Sequence, residues 1–435
     1  MLDTFFAYLA LLDNFLWSYL GFTLIALLGT YLTLRFRFAQ LLKFHKVTEL
    51  FFSMLGSKAS HPEERGVHPL SAFFASIGGC IGVGNIVAVC TAVQIGGPGA
   101  IFWIWVAAFL GMLIKYSEVY LGVKFRIPDA VGGYNGGPMF YLQRVFRTRL
   151  VPVLVAVFLA IYGTEIYMFN VVTDSIVTNF EVPHGLVVAG LLFLVFYAAA
   201  GGVDRVGKLS SVMIPLFIVS FLIMSSWVLF QNSEKIVPAF GELIRTAFSG
   251  HAAVGAFAGS GVLLTISQGM ARGSYTGDIG VGYASVVQAE GREADPKQQA
   301  SLAIFGIFLD TFVICSLSTL LVFVTGVWQE PISAAYLVQT ALARYFPYMN
   351  FFMPFFLFLL GYSTIIAFFV VGLKCAKFLS PRWGSAVYHI YATIAFIVFS
   401  YVDQTKALTI MSISGACLVV INLYGIFKLR KEIEI

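Results

Sequence analysis

Charge is what this sequence has least of. Acidic and basic residues make up only 11% of it, whereas a soluble domain carries about a quarter, because its surface must face water. So few charges cannot coat a 435-residue globule, which excludes a large soluble protein. No polar stretch is long enough to form a separate soluble domain. Cysteine and histidine are also scarce. Cys80, Cys90, Cys315, Cys375 and Cys417 fall in or beside apolar stretches, where a free thiol behaves as a small hydrophobe. None forms a CxxC pair, so neither a metal site nor a disulfide framework follows. The six histidines are scattered without metal-ligand spacing.

What is there in abundance is apolar. Hydrophobic residues account for 59% of the chain, with 43 phenylalanines. Runs long enough to cross a hydrocarbon core of about 30 Å fall at 15–36, 70–95, 99–122, 150–176, 185–201, 209–230, 252–270, 299–326, 350–373, 385–402 and 407–427. The sequence therefore reads as an all-α integral membrane protein of about 11 transmembrane helices joined by short loops. The first run is long and is followed by Arg35 and Arg37, so it reads as a retained helix rather than a cleaved signal. Segments 37–60 and 330–349 mix apolar with charged residues and read as helices lying along the membrane surface.

The net charge of +5 is less informative than its placement. With residues 1–14 outside, the loops assigned to the cytoplasm hold 22 of the 27 Lys and Arg residues, and the opposite loops hold four. The positive-inside rule then places the N-terminus outside and the C-terminus in the cytoplasm of a bacterial-type inner membrane. The basic balance needs no nucleic-acid partner to explain it.

Two runs depart from solid Leu, Val, Ile and Phe. One reads Ser76-Ile77-Gly78-Gly79-Cys80-Ile81-Gly82-Val83-Gly84-Asn85, and the other Gly255-Ala256-Phe257-Ala258-Gly259-Ser260-Gly261. Each glycine costs a helix up to about 1 kcal/mol relative to alanine. Close helix packing through small-xxx-small spacing explains a single pair without any ligand. Two clusters five spans apart favour something else: a 5+5 inverted repeat with an interrupted first helix in each half. The expected organisation is an extra N-terminal helix and surface segment over 1–69 and a first five-helix repeat over 70–230. An external connection covers 231–251, and a second repeat with the cytoplasmic C-terminus covers 252–435. A helix broken at the bilayer midplane exposes amides and carbonyls that lipid cannot satisfy. An amino acid plus a cation would satisfy both.

The segment Gly96-Gly97-Pro98-Gly99-Ala100-Ile101-Phe102-Trp103-Ile104-Trp105, continuing to Gly111 and Glu118, resembles the signature of the alanine or glycine:cation symporter family. That family usually has Met where Ile104 stands. Gly136-Gly137-Pro138-Met139-Phe140-Tyr141, Gly82-Val83-Gly84-Asn85 and Asp310-Thr311 are similar to shorter family segments. The chain departs at Thr276-Gly277-Asp278-Ile279-Gly280, where the family has Asn-Glu-Ala-Gly, and at Val172, where a Gln is common.

The resemblance implies a leucine-transporter-like fold with substrate between the first and sixth core helices. On this chain the substrate carboxylate would meet amides near Val83 and Gly84. Its amine would meet carbonyls near Gly79, Cys80 and Phe257, and Ser260 and Gly261 would complete the site. Sodium would take carbonyls of Gly78, Ile81 and Leu360 with the hydroxyls of Ser363 and Thr364. Adjacent hydroxyls in mid-span suit a hard cation on their own account, although Ser and Thr also bond back to carbonyls of their own helix.

Ionisable residues inside spans are costly and point to a role. Glu165 could bind a cation, carry a proton or cap a helix, and Asp174 is near enough to a span end to reach water. Asp310 reads first as a structural acceptor for a broken helix, with cation ligation as the alternative. Lys115 and Glu118, three residues apart, read as an ion pair. The expected function is secondary active import of a small neutral amino acid (alanine or glycine) coupled to sodium. A proton-coupled carrier of another small amino acid or amine is the alternative. A channel would need repeated filter loops or charged rings, and neither is present in the sequence. A nucleophile–base or metal constellation for an enzyme is likewise missing. No cofactor is expected beyond the coupling ion, which could be sodium or a proton. The expected partners are the amino acid and membrane lipid, with a monomer left open.

Overall fold

A computed structural model describes residues 2–56, 65–129, 132–249, 258–293, 295–402 and 404–435. The chain is nearly all helix, as expected where every backbone polar group in lipid must be satisfied internally. Eight helices among the described residues are long and apolar enough to cross a membrane. Of the other expected spans, 185–201 and 385–402 form the shorter apolar helices His184–Ala199 and Gly384–Phe399, and 252–270 contributes to Ala258–Thr276.

In chain order, helix α1 (Thr4–Arg35) leads to an amphipathic α2 (Phe44–Leu55). Val47, Phe51 and Met54 of α2 are buried, and the Phe51 ring packs on Phe73 and Phe305. The first five-helix set begins with α3 (Pro69–Cys80) and α4 (Gly84–Gly96), two halves of one interrupted helix. The long α5 (Ala100–Lys124) follows. Next come α6 (Leu150–Tyr162) and α7 (Ile166–Phe180), then α8 (His184–Ala199) and α9 (Gly202–Gln231). The run expected as a single span over 150–176 is therefore itself broken, at Gly163-Thr164-Glu165.

The stretch expected as a connection at 231–251 folds into α10 (Ser233–Ser249), which packs on α5 and on the helix that follows. The second set comprises α11 (Ala258–Thr276) and the short α12 (Tyr283–Gln288), then α13 (Pro296–Val324). After α14 (Leu337–Ala343) come α15 (Met349–Leu379), α16 (Gly384–Phe399) and α17 (Gln404–Lys428). Within α13, Phe308–Cys315 is wound as a π-helix, a local widening that often accompanies functional positions.

The interrupted helices lie inside the bundle. Helix α3 packs on α9, α12 and α15, while α11 packs on α4 and α5. Side chains from Pro69 to Cys80 are almost all buried. By contrast α9, α16 and α1 carry many exposed large apolar residues, among them Leu27, Ile223, Phe230, Val387 and Ile394. An apolar outside around a partly polar inside is the pattern of a protein dissolved in lipid.

Candidate functional site

The first interruption forms where the glycine-rich sequence predicts it. Ile81 leaves the helical region (φ −76°, ψ 93°), and the chain re-enters a helix at Gly84. Asn85 stabilises the opening by accepting the Gly82 N–H on Oδ1 at 2.9 Å. Its Nδ2 donates to Asp310 Oδ1 at 2.6 Å, and Thr311 Oγ1 donates to Asp310 Oδ2 at 2.8 Å. The Asp310 side chain thus holds the capping amide.

Of the segment expected to break, residues 255–257 lie outside the described residues, and among the described ones the second interruption is further along. Ala258–Thr276 is one continuous helix, and the chain opens only at 277–282 before α12. Ser260 and Gly261 therefore belong to the first turn of α11, more than three turns from the opening, and Phe257 lies outside the described residues. The physical reason is backbone geometry. Asp278, Gly280 and Gly282 all adopt positive φ (47°, 79° and 92°), which glycine supplies at little cost. Glycines at 259 and 261 are compatible with a helix that simply packs closely.

Helix α5 holds this second opening. Lys115 Nζ donates to the Gly277 carbonyl at 2.6 Å and contacts Cys80 Sγ at 2.9 Å, so one ammonium bridges both interrupted helices. Glu118 Oε2 accepts from the Gly282 N–H at 3.2 Å and from Asn422 Nδ2 at 3.3 Å. The two residues do not pair with each other as their spacing suggested. Each serves one end of the opening, because α5 runs alongside it. Tyr162 Oη donates to Asp278 Oδ1 at 2.8 Å, and Tyr283 Oη donates to the Ala75 carbonyl at 2.9 Å.

Between the two openings is a small cavity of about 30 Å³. Gly79, Cys80, Gly82, Gly84 and Asn85 line it from the first opening, and Tyr275, Thr276 and Asp278 from the second. Tyr162, Glu165 and Met168 close one side, and Thr364 and Phe368 of α15 another. Two buried carboxylates, Glu165 and Asp278, face this space. Both residues have positive φ, an uncommon and costly conformation away from glycine that concentrates at functional sites. Val83 is buried at the start of α4, where the leading amides of a helix have no intrahelical acceptor. Asp174 is on α7 and does not line the cavity.

The hydroxyls expected around a cation also converge on the first opening. Thr364 Oγ1 is 3.2 Å from the Gly78 carbonyl and 2.9 Å from that of Leu360. Ser363 Oγ is 2.9 Å from Ser210 Oγ of α9. Helix α15 comes this close because residue 82 has no side chain: a Cβ there would stand 2.9 Å from Thr364 Oγ1. Gly78, Leu360, Ser363 and Thr364 are thus neighbours across α3 and α15, two helices from different five-helix sets, and Ile81 follows the end of α3. Sequence reasoning missed Tyr162, Asp278, Tyr283, Ser210 and Asn422. The signal for the second opening was present in Gly277-Asp278-Ile279-Gly280-Val281-Gly282.

Paired interruptions around a central polar cavity, in two five-helix sets, define a secondary transporter with the leucine-transporter-type fold. Consistent with this, the crystal structure of MhsT in complex with L-phenylalanine superposes with a TM-score of 0.57 over 84% of this chain and 89% of that one, at 11% identity. The chain belongs to the sodium:alanine symporter family, whose model matches residues 3–434. It is 30% identical to the sodium/alanine symporter AgcS of Methanococcus maripaludis, covering 96% of this chain and 93% of that protein. It is 26% identical to a probable sodium/glutamine symporter, GlnT, of Bacillus subtilis, covering 97% and 87%. The protein is an amino-acid carrier and not an enzyme.

Proposed function

We propose that the protein imports a small neutral amino acid, alanine or glycine, together with sodium by alternating access. The observation that carries this reading is the meeting of Thr364 Oγ1 with the Gly78 carbonyl at the wall of the cavity between the two openings. A sodium ion there would take oxygens from Gly78, Ile81, Leu360, Ser363 and Thr364, the oxygen-only donor set a hard cation prefers. The substrate carboxylate would point to the amides at Val83 and Gly84, where a half-helix begins. Its ammonium would meet the carbonyls of Gly79 and Cys80 and the Asp278 carboxylate. Asp278 thereby takes the place first assigned to Phe257, Ser260 and Gly261.

The shared interrupted helix couples the two binding events, because its neighbouring carbonyls serve ion and substrate. One sodium charge moving inward through 100 mV contributes about 2.3 kcal/mol, roughly a fiftyfold accumulation. The orientation that goes with this reading has the N-terminus outside and the C-terminus in the cytoplasm. The presence of both Glu165 and Asp278 on the cavity supports a second reading, in which a proton is the coupling ion. Uptake of labelled alanine, glycine, serine and glutamine into proteoliposomes separates the two. The sodium reading requires uptake that follows an imposed sodium gradient. Uptake driven by a pH gradient in sodium-free medium overturns it in favour of the proton.

A further inference from the structure

A second polar cavity adjoins the central one and is not used by the transport reading above. It lies between α1, the helix outside the two five-helix sets, and helices α11 and α17. Its volume is about 190 Å³, room for a small guest rather than a drug-sized ligand, whose sites run to about 300–1,000 Å³. Its walls are mostly polar and include Asp13 and Ser18 of α1, Gln268 and Arg272 of α11, and Ser412 of α17. Tyr275 lines both cavities and forms the partition between them.

The charges in this space are opposite: Ser412 and Arg272 both stabilise the Asp13 carboxylate, but no ion pair joins Arg272 to it among the described residues. Asp13 Oδ1 is buried and has no hydrogen-bond partner among the described residues. Arg272 lines the same cavity and has no ion-pair partner there among the described residues, Asp13 included. A buried carboxylate oxygen left unpaired is costly, and an arginine in a membrane span is costly too. Such an arrangement persists when a guest completes it. The guest that fits an anion on one wall and a guanidinium on another is a zwitterion, its ammonium toward Asp13 and its carboxylate toward Arg272. Guanidinium–carboxylate pairing can be bidentate, which would fix the orientation of the guest.

The sequence explains why α1 can supply one wall. Leu16–Gly21 is π-wound, and Trp17 turns inward, donating from Nε1 to the Ser412 carbonyl at 3.0 Å and meeting the Tyr275 ring edge-on at 5.7 Å. Ser18 lies in this wider turn and Asp13 precedes it, and both line the cavity from α1.

We propose that this cavity is a second binding site for a free amino acid, stacked against the central site and closed off from it by Tyr275. The inference adds a station to the proposed transport path. It uses the proposed orientation only to place that station on the outer side. Asp13 of α1 and Gln268 and Arg272 of α11 line this cavity together, and Gln268 and Arg272 precede the opening at 277–282 in the chain.

Saturation binding of labelled alanine and glycine to the full-length protein in nanodiscs, with sodium present, tests it. Asp13→Asn and Arg272→Gln are compared with the wild type after their melting midpoints confirm folding. Two equivalents per chain in the wild type and one in each variant is the expected result. A single wild-type equivalent retained with unchanged affinity in both variants overturns the second site and leaves the central reading standing. A single equivalent lost in both variants supports this cavity and overturns the central one instead. Absence of alanine and glycine binding altogether overturns the inference, and the uptake panel above then judges the transport reading separately. If either variant fails to fold, Ser412→Ala, which alters the same wall, replaces it, with at least a tenfold weakening of one of two binding phases expected and two unchanged phases overturning the site.

Discussion

Asn85 donates to Asp310 at 2.6 Å while the same side chain accepts the Gly82 N–H at 2.9 Å, so a residue 225 positions away in the sequence sets the shape of the first helix opening. Both partners are buried. A buried donor or acceptor left without a partner costs about 1–3 kcal/mol.

Asn85→Ala strands both the Gly82 amide and the Asp310 carboxylate. The expected result is a lower melting midpoint in detergent, equivalent to about 2 kcal/mol, together with lost uptake. Asp310→Asn keeps an acceptor for Asn85 and removes the charge. If the residue is structural, the variant keeps its dependence on sodium concentration. A large rise in the sodium needed for half-maximal uptake in Asp310→Asn would make Asp310 a cation ligand instead.

Two glycines of the first opening separate space from flexibility. A Cβ at Gly79 would collide with the Tyr283 ring and its hydroxyl, whereas a Cβ at Gly84 would meet nothing closer than Thr276 Cγ2 at 3.5 Å. Gly79→Ala should therefore displace Tyr283 from the Ala75 carbonyl and abolish uptake. Gly84→Ala should be well folded and only narrow the cavity that it lines, raising KM more for alanine than for glycine. Equal effects of the two substitutions on folding, read as melting midpoints, would contradict this packing.

The first opening was legible in the sequence because four glycines in seven positions lie within an otherwise ideal span. The opening at 277–282 was not read, because the expected span ended at 270 and left 272–297 as a loop, while the glycines at 255–261 drew the expected break. In the structure Arg272 is within α11 and faces a polar cavity, so the charge that suggested water is housed by protein. The break at Glu165 carries no glycine on its own position, and the π-wound turn around Asp310 follows from tertiary packing; neither leaves a composition signal. Lys115 and Glu118 were read from local spacing as an ion pair, although their partners come from α3, the opening at 277–282 and α17. Local spacing could show the Ser363-Thr364 pair, but not that Ser210 would stand opposite.

Lys115 bridges the Gly277 carbonyl and Cys80 Sγ, and Glu118 anchors the Gly282 amide. Removing either releases one end of the second opening. Glu118→Gln keeps an acceptor oxygen for the Gly282 N–H and should retain measurable uptake. Glu118→Leu leaves that amide and Asn422 without their acceptor, and should lower the melting midpoint and abolish uptake. Lys115→Met should do the same by freeing the Gly277 carbonyl. Full activity in Glu118→Leu would show that the opening keeps its shape without the carboxylate.

Thr364 offers the most direct test of the proposed ion site. Its Oγ1 reaches two carbonyl oxygens, of Gly78 and Leu360, from opposite sides of the contact between α3 and α15. Valine keeps the shape and deletes the oxygen. One lost oxygen ligand, at about 1–2 kcal/mol, corresponds to roughly a tenfold change in an equilibrium constant. Thr364→Val should therefore raise the sodium concentration for half-maximal uptake about tenfold, while the maximal rate at saturating sodium falls less. Thr364→Ser retains the oxygen and should stay close to the wild type. Leu360 and Gly78 contribute only backbone carbonyls, so Leu360→Ile should leave the sodium dependence unchanged and serves as the packing control. If Thr364→Val and Thr364→Ser change the rate equally without moving the sodium midpoint, the hydroxyl acts only in helix packing, and the ion binds elsewhere.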